Sequence, residues 1–266
     1  MQYVDRILRQ SQVSKLDILV LPEMAFTGYL FPSAEAIAPY LEPTTSGVTT
    51  IWAQRVARQL RCTVVVGYPE KTSEIPLSRC YNSCVVVSEA GEVIANYRKS
   101  NLYFQDQCWA DEGNGFFAGK IGSLGQVAIG ICMDLNPYQF RASWNEFEFA
   151  RHVAQNSARF VLMPLAWVTT QDVSEFSCQL SQPDQKTLDY WIRRFEPLNH
   201  RKSPGNVDLE AETIVVLANR CGREGDNLYA GTSCILGFHG NGEPFVYAIT
   251  DRSSAGLLIA DTSSSC

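Results

Sequence analysis

At residues 127–134 the chain reads Val-Ala-Ile-Gly-Ile-Cys-Met-Asp, and it continues Leu-Asn-Pro. A short run of apolar, β-branched residues is typical of a buried strand, and Asp-Leu-Asn-Pro is typical of a turn. Cys132 therefore stands at the point where a strand ends. A cysteine is more often a packing residue than a nucleophile. The residues that accompany Cys132 therefore decide which of these two roles it has.

Two other predicted strands end on a charge. Residues 18–22 lead into Glu23, and residues 93–98 lead into Lys99. One reaction uses all three groups. The carboxylate takes the thiol proton, the thiolate attacks a carbonyl or nitrile carbon, and the cation stabilises the oxyanion. Taken singly, Glu23 would be a surface or capping acid and Lys99 a strand-edge cation. Together with Cys132 they predict one site.

The rest of the chain predicts an α/β fold, because short apolar strands alternate with segments of helical period. The predicted strands cover residues 17–21, 62–67, 81–87, 93–97, 126–131, 160–163, 213–218 and 234–237, and the predicted helices cover 46–60, 145–158 and 184–195. Residues 88–92 predict a hairpin turn, and 169–184 a loop. Without a repeat or a linker, residues 1–266 predict a single domain.

Composition narrows the class of partner. The 266 residues carry 22 basic and 28 acidic side chains, a net charge of −6, and the basic residues are scattered. This argues against nucleic acid and favours a small-molecule or peptide substrate. No apolar run approaches the length of about 18 residues that spans a bilayer, so no membrane partner is expected.

The nine cysteines and three histidines show no spacing typical of a metal site. We therefore predict no metal and a reducing compartment, the cytoplasm, with the nucleus and mitochondria as alternatives. A cysteine–histidine protease would need His152 to reach Cys132, and the set of Glu23, Lys99 and Cys132 explains more with fewer assumptions.

Three segments in this order resemble the nitrilase superfamily of carbon–nitrogen hydrolases: Leu21-Pro22-Glu23, residues 97–102 (Tyr-Arg-Lys-Ser-Asn-Leu), and residues 130–134 (Gly-Ile-Cys-Met-Asp). The resemblance implies a four-layer α-β-β-α sandwich, the catalytic residues Glu23, Lys99 and Cys132, no cofactor, and a homodimer. Family members usually begin with an apolar strand and a long helix, whereas only sixteen residues precede Asp17. The expectation is a domain truncated at its N-terminus that lacks the first strand, with residues 3–13 as the end of that helix.

Residues 109–116 and 132–137 look most like the branch of the superfamily that acts on protein N-terminal Asn and Gln. That branch implies deamidation to Asp or Glu through a thioester, with release of ammonia, in a degradation pathway that reads N-terminal residues (an N-degron pathway). Two alternatives stay open. The first is an amidase of free small amides or carbamoyl compounds, and the second is a truncated, non-catalytic binding or assembly form, motivated by the missing strand.

Further site residues follow from the resemblance and from local pattern. Glu112 looks like a second carboxylate that orients the lysine and the attacking water, with the adjacent Asp111 as an alternative. The backbone N–H of Met133 is expected to donate to the oxyanion. Asp134 is either the acceptor for a substrate α-ammonium or a turn-capping residue. Aromatic side chains that either wall the pocket or belong to the core are Tyr29, Trp109 and Trp167.

Overall fold

The computed structural model describes residues 1–11, 13, 15–73, 78–200, 212–240 and 242–263. Its α-helices are α1 (Gln2–Gln10), α2 (Ala34–Ile37), α3 (Val48–Leu60), α4 (Glu148–Gln155), α5 (Val173–Ser177) and α6 (Gln185–Arg194). Its strands are β1 (Ile18–Val20), β2 (Glu42–Pro43), β3 (Thr63–Lys71), β4 (Cys80–Val87), β5 (Val93–Arg98), β6 (Phe117–Ile121), β7 (Gly125–Ile129), β8 (Phe160–Leu165), β9 (Thr213–Asn219), β10 (Cys221–Glu224), β11 (Asn227–Ala230), β12 (Cys234–Phe238) and β13 (Phe245–Ile249).

The first sheet has the strand order β1-β3-β4-β5, and β2 also pairs with β3. β1 runs parallel to β3, and the pairs β3–β4 and β4–β5 are antiparallel. Because side chains alternate along a strand, Val64 and Val66 face a cluster that contains Trp52 and Val56 of α3, with α1 packed against it. Val65 points the other way and joins the core shared with the second sheet.

The second sheet has the order β13-β12-β9-β8-β7-β6, and β7, β8 and β9 are mutually parallel. Phe149 and Val153 of α4 and Trp191 of α6 pack into the same core cluster as its strands. The layers are therefore helices, first sheet, second sheet and helices. This confirms the predicted α-β-β-α sandwich.

The sequence-based elements are confirmed in position, with small differences in their ends. Each predicted strand and helix coincides with an observed one, and the predicted hairpin closes with a 2.8 Å bond from the Ser88 N–H to the Glu92 carbonyl. The region 169–184, predicted as a loop, contains α5, whose N-terminus is capped by the Asp172 carboxylate. The absence of a family strand ahead of the chain and the single domain stay predictions.

The two sheets are joined where their strands end. The Leu21 N–H donates to the Val65 carbonyl within the first sheet, and the Glu23 N–H donates to the Leu165 carbonyl at the end of β8. The Lys99 N–H donates to the Asn82 carbonyl. These bonds bring the residues that follow β1, β5 and β8 to one edge of the sandwich.

No helix within the described ranges is both long and apolar enough to cross a membrane. All eight cysteines in this part of the chain are free.

Candidate active site

Cys132 lies in a tight turn that starts two residues after β7. Its φ is +41°, a left-handed conformation that is uncommon for a residue with a side chain. Cys132 is 7% exposed, and the nearby backbone N–H of Ala166 favours the charged form of its thiol. Burial raises the pKa of the thiol well above its usual range, the charge of Glu23 adds to this, and the charge of Lys99 opposes it. The thiol is therefore neutral at rest and needs a base to become nucleophilic.

Glu23 supplies a carboxylate with one free oxygen. Its Oε1 accepts hydrogen bonds from Lys99 Nζ and Asn82 Nδ2, both at 2.7 Å. Its Oε2 is buried and has no hydrogen-bond partner among the described residues. Burial raises the pKa of Glu23, and the Lys99 charge works against that rise. A carboxyl group of this kind can both take and return a proton near neutral pH.

Lys99 is completely buried between two carboxylates. Its Nζ lies 2.7 Å from Glu23 Oε1 and 2.6 Å from Asp106 Oδ2. Burial alone would lower the pKa of Lys99, but the charges of Asp106 and Glu23 raise it above its usual range. The ammonium therefore keeps its charge, and Cys132 lies within range of that charge.

Asp106, which sequence reasoning missed, is the second carboxylate on Lys99. Its Oδ2 also accepts hydrogen bonds from the Tyr103 N–H at 3.0 Å and from the Tyr29 hydroxyl at 3.2 Å, and its Oδ1 accepts one from Asn82 at 2.9 Å. It lies in a short turn after Lys99 with aromatic residues around it. Nothing in that local pattern marks it as a partner of Lys99.

The structure does not place Glu112 on the lysine that it was predicted to orient. Glu112 is exposed, and its carboxylate accepts hydrogen bonds from the Tyr138 hydroxyl at 3.0 and 3.2 Å. The N–H of Gly113 donates to the Lys99 carbonyl, so the backbone is held beside the lysine while the Glu112 side chain points outward. The alternative, Asp111, is also exposed and lies 4.0 Å from Arg79.

Of the two roles predicted for Asp134, its contacts fit the turn-capping residue rather than the acceptor of a substrate ammonium. Its carboxylate accepts hydrogen bonds from the N–H groups of Ser100 (3.1 Å), Asn101 (2.7 Å) and Ile131 (2.7 Å) and from the Tyr97 hydroxyl (2.8 Å). Burial raises its pKa to about 6 despite these donors. With four donors from the protein, Asp134 ties the segment after Lys99 to the turn that carries Cys132.

The remaining predicted residues adjoin the site in different ways. The Tyr29 ring lies 5.6 Å from Lys99 Nζ, and Trp109 packs in the same buried cluster as Tyr29. Trp167 follows Ala166, the residue whose N–H reaches the Cys132 thiol. Met133 is buried directly after Cys132, and its function as an oxyanion donor stays a prediction.

Comparisons with known proteins agree with this arrangement. The model of the carbon-nitrogen hydrolase family matches residues 1–142, a range that includes every residue of the charged cluster and Cys132. The protein N-terminal amidase of Schizosaccharomyces pombe is 34% identical over 263 residues, covering 94% of this chain and 88% of its own.

Two solved structures show the same fold at 22% identity. One is a crystal structure of N-terminal amidase with Asn-Glu-Ala peptide, with a TM-score of 0.83 over 98% of this chain and 92% of that one. The other is of N-terminal amidase with Gln-Gly peptide, with a TM-score of 0.82 over 97% and 91%. The family match over more than half of the chain and the 34% identity over nearly all of it show that this chain belongs to the carbon-nitrogen hydrolase family.

Proposed function

We propose that this protein deamidates N-terminal Asn or Gln of peptides and proteins to Asp or Glu, releasing ammonia. The family establishes a hydrolase of carbon–nitrogen bonds, and the substrate is supported by the relatives whose names and bound peptides specify N-terminal amidases. The observation in this chain that carries the chemistry is the free Oε2 of Glu23 in a buried cluster that also holds Lys99 and Cys132.

In the first half of the reaction, Glu23 takes the proton from the Cys132 thiol, and the thiolate attacks the side-chain amide carbon of the substrate. The Lys99 ammonium and the backbone N–H of Met133 stabilise the negative oxygen of the tetrahedral intermediate. Glu23 then returns the proton to the amide nitrogen. The carbon–nitrogen bond breaks, ammonia leaves, and the acyl group stays on the sulfur as a thioester.

In the second half, Glu23 takes a proton from a water molecule that attacks the thioester carbon. The carbon–sulfur bond then breaks, the proton returns to the sulfur, and the new carboxylic acid leaves. The sum is one amide and one water converted to one acid and one ammonia, with no oxidant, reductant or cofactor.

The charge of the site favours a substrate that carries a free ammonium. Among the described residues, the carboxylates of Glu23 and Asp106 share one cation, Lys99, so this buried cluster has one excess negative charge when both carboxylates are ionised. Arg220, whose guanidinium donates to the carbonyls of Glu23 and Met24, does not cancel it, because its own charge is balanced by Glu224 at 4.0 Å. A positive α-amino group entering the site lowers the cost of that excess charge.

The setting of the reaction is part of the same proposal. We infer that the protein acts in the cytoplasm on polypeptide N-termini, and that its acidic product is read by a degradation pathway. A homodimer is the expected assembly.

The test is ammonia release from a peptide beginning with Asn, compared with the same peptide acetylated at its N-terminus and with a free small amide. We expect release from the free peptide alone, and none by Cys132→Ala. Equal release from the acetylated peptide or the small amide would assign a general amidase instead. Folded protein that releases no ammonia from any of the three would favour the non-catalytic alternative.

A further inference from the structure

Asn82 of β4 joins the two carboxylates of the site. The side chain is completely buried, and its Nδ2 donates to Glu23 Oε1 at 2.7 Å and to Asp106 Oδ1 at 2.9 Å. Lys99 Nζ donates to the same two carboxylates. Its bonds go to Oε1 of Glu23, the oxygen that Asn82 also uses, and to Oδ2 of Asp106, the oxygen that Asn82 does not use. A neutral donor and a charged donor therefore hold one pair of acids.

The two donors leave the oxygens of Glu23 unequal. Both converge on Oε1, whereas Oε2 is buried without a hydrogen-bond partner in the described parts of the chain. A carboxylate oxygen that already accepts two hydrogen bonds, one of them from a cation, is a weaker base than its neighbour without any. Oε2 is therefore the oxygen that can take a proton.

The amide group of Asn82 is used on one side only. Its Oδ1 is buried and has no hydrogen-bond partner among the described residues. A buried polar atom without a partner is costly, so a residue kept only to fill this space in β4 would be better apolar. Within the Asn82 side chain it is Nδ2 that makes hydrogen bonds, and both of these go to the charged cluster.

We infer that Asn82 is a positioning residue that orients Glu23 so that Oε2 serves as the base toward Cys132. It acts by occupying Oε1 together with Lys99 and by holding Asp106 in its place on the lysine. The inference rests on the proposed use of Glu23 as the base.

Loss of the Asn82 amide changes the pH range in which Glu23 can act as the base. Hydrogen bonds to a carboxylate stabilise its charged form, and the bond from Asn82 lowers the pKa of Glu23 against the larger effect of burial. Without that bond the carboxyl holds its proton to higher pH. Activity falls at acidic pH when the Cys132–Glu23 pair is protonated, and this fall is the acid limb of the pH profile. The acid limb therefore moves to higher pH.

Replacing Asn82 removes no titratable or charged side chain near Glu23. The titratable and charged side chains that face it are Lys99, Asp106, Cys132, Cys84, Tyr29, Tyr229 and Arg220. None of these is removed by the substitution, so a shift of the limb reports the lost Nδ2 bonds.

The experiment measures the pH dependence of Cys132 alkylation by iodoacetamide, with the modified peptide separated by mass spectrometry from those of other cysteines. The variant is Asn82→Leu, which has a similar shape, no N–H donor and no cavity for water. The matched control is Asn96→Leu, because Asn96 donates in the same way to another buried carboxylate, Glu70, at 2.9 Å. Circular dichroism and kcat/KM against an Asn peptide accompany each.

We expect the acid limb of Asn82→Leu at higher pH than in the parent, with alkylation and kcat/KM on the acid side lowered about tenfold, the effect of losing one hydrogen bond to a charged group. We expect Asn96→Leu to leave the limb unmoved. A folded Asn82→Leu protein with the parent limb, or with a loss equal at every pH, would overturn the inference.

If Asn82→Leu fails to fold, Asn82→Val carries the test, because a β-branched side chain suits a strand and donates neither bond, so the limb should again move to higher pH. A parental limb in folded Asn82→Val would then overturn the inference. Alkylation needs no amide substrate, so a wrong substrate assignment would show in kcat/KM alone, whereas a wrong role for Asn82 would show in the alkylation profile.

Discussion

At the residue level, the site works through the balance of charges around Lys99. An ammonium buried without partners would lose its charge. A single carboxylate would offset only part of the cost of keeping that charge in the low dielectric of the core. Glu23 and Asp106 keep it charged at distances of 2.7 and 2.6 Å. Because Glu23 must change protonation during the reaction, Asp106 is the partner that holds the lysine throughout.

Replacing Asp106 by Asn should therefore lower activity strongly, whereas replacing Glu112 by Gln should not. We expect Asp106→Asn to lower kcat/KM for an Asn peptide by about 10- to 100-fold, the range for partners that orient a functional group. Glu112→Gln changes the same functional group on an exposed side chain that binds only the Tyr138 hydroxyl in the described structure. A large loss in Glu112→Gln and a small one in Asp106→Asn would restore the sequence-based assignment.

Residues of the site differ in how far the sequence reveals them. Glu23, Lys99 and Cys132 could be predicted because each follows a strand, and strand ends meet at one edge. Asp106 and Asn82 could not be predicted, because their contacts arise where the turn that holds Asp106 packs against β4 of the first sheet. Asn82 has one weak signal, because it and Ser83 are the polar pair in the otherwise apolar β4.

At the level of elements, the carboxylate of Asp134 fixes the turn that carries Cys132. The left-handed φ of Cys132 stores strain of about 1–3 kcal/mol. The hydrogen bonds of Asp134 to Ile131 on one side and to Ser100 and Asn101 on the other connect this turn to the segment after Lys99. They keep the nucleophile and the cation at a fixed separation.

Removing the Asp134 carboxylate should destabilise the whole fold as well as the site. Asp134→Ala leaves buried N–H groups without acceptors, and we expect a loss of about 3 kcal/mol in the free energy of unfolding in urea. Asp172→Ala is the control, because Asp172 also accepts from a backbone N–H but is exposed. An Asp134→Ala protein of parental stability with only a raised KM for peptides would point instead to ammonium binding.

The elements that sequence patterns missed lie mainly at edges. β6 and β13 are the two outer strands of the second sheet, and both are half-buried or exposed along most of their length. Outer strands bury little apolar surface, so their patterns are weak. The inner strands β7, β8 and β9 are buried along most of their length and were predicted from their apolar runs.

At the level of the whole molecule, the packing of the two sheets creates the site. Alternating strands and helices predict an α/β class, but the same alternation also fits a single sheet covered by helices on both faces. The resemblance in three short segments implied the four layers, and the structure shows them. Glu23 and Lys99 come from the first sheet and Cys132 and Ala166 from the second, so the charged cluster meets the thiol only when the sheets stack.

The most direct test of the central claim is a mass measurement on a mixture of four peptides that begin with Asn, with Gln, with acetylated Asn, or with Gly followed by Asn. The account predicts that the protein converts only the first two, each amide becoming an acid at the N-terminal residue, and that Cys132→Ala converts none. Conversion of the acetylated or internal Asn, or conversion that survives Cys132→Ala, would contradict it.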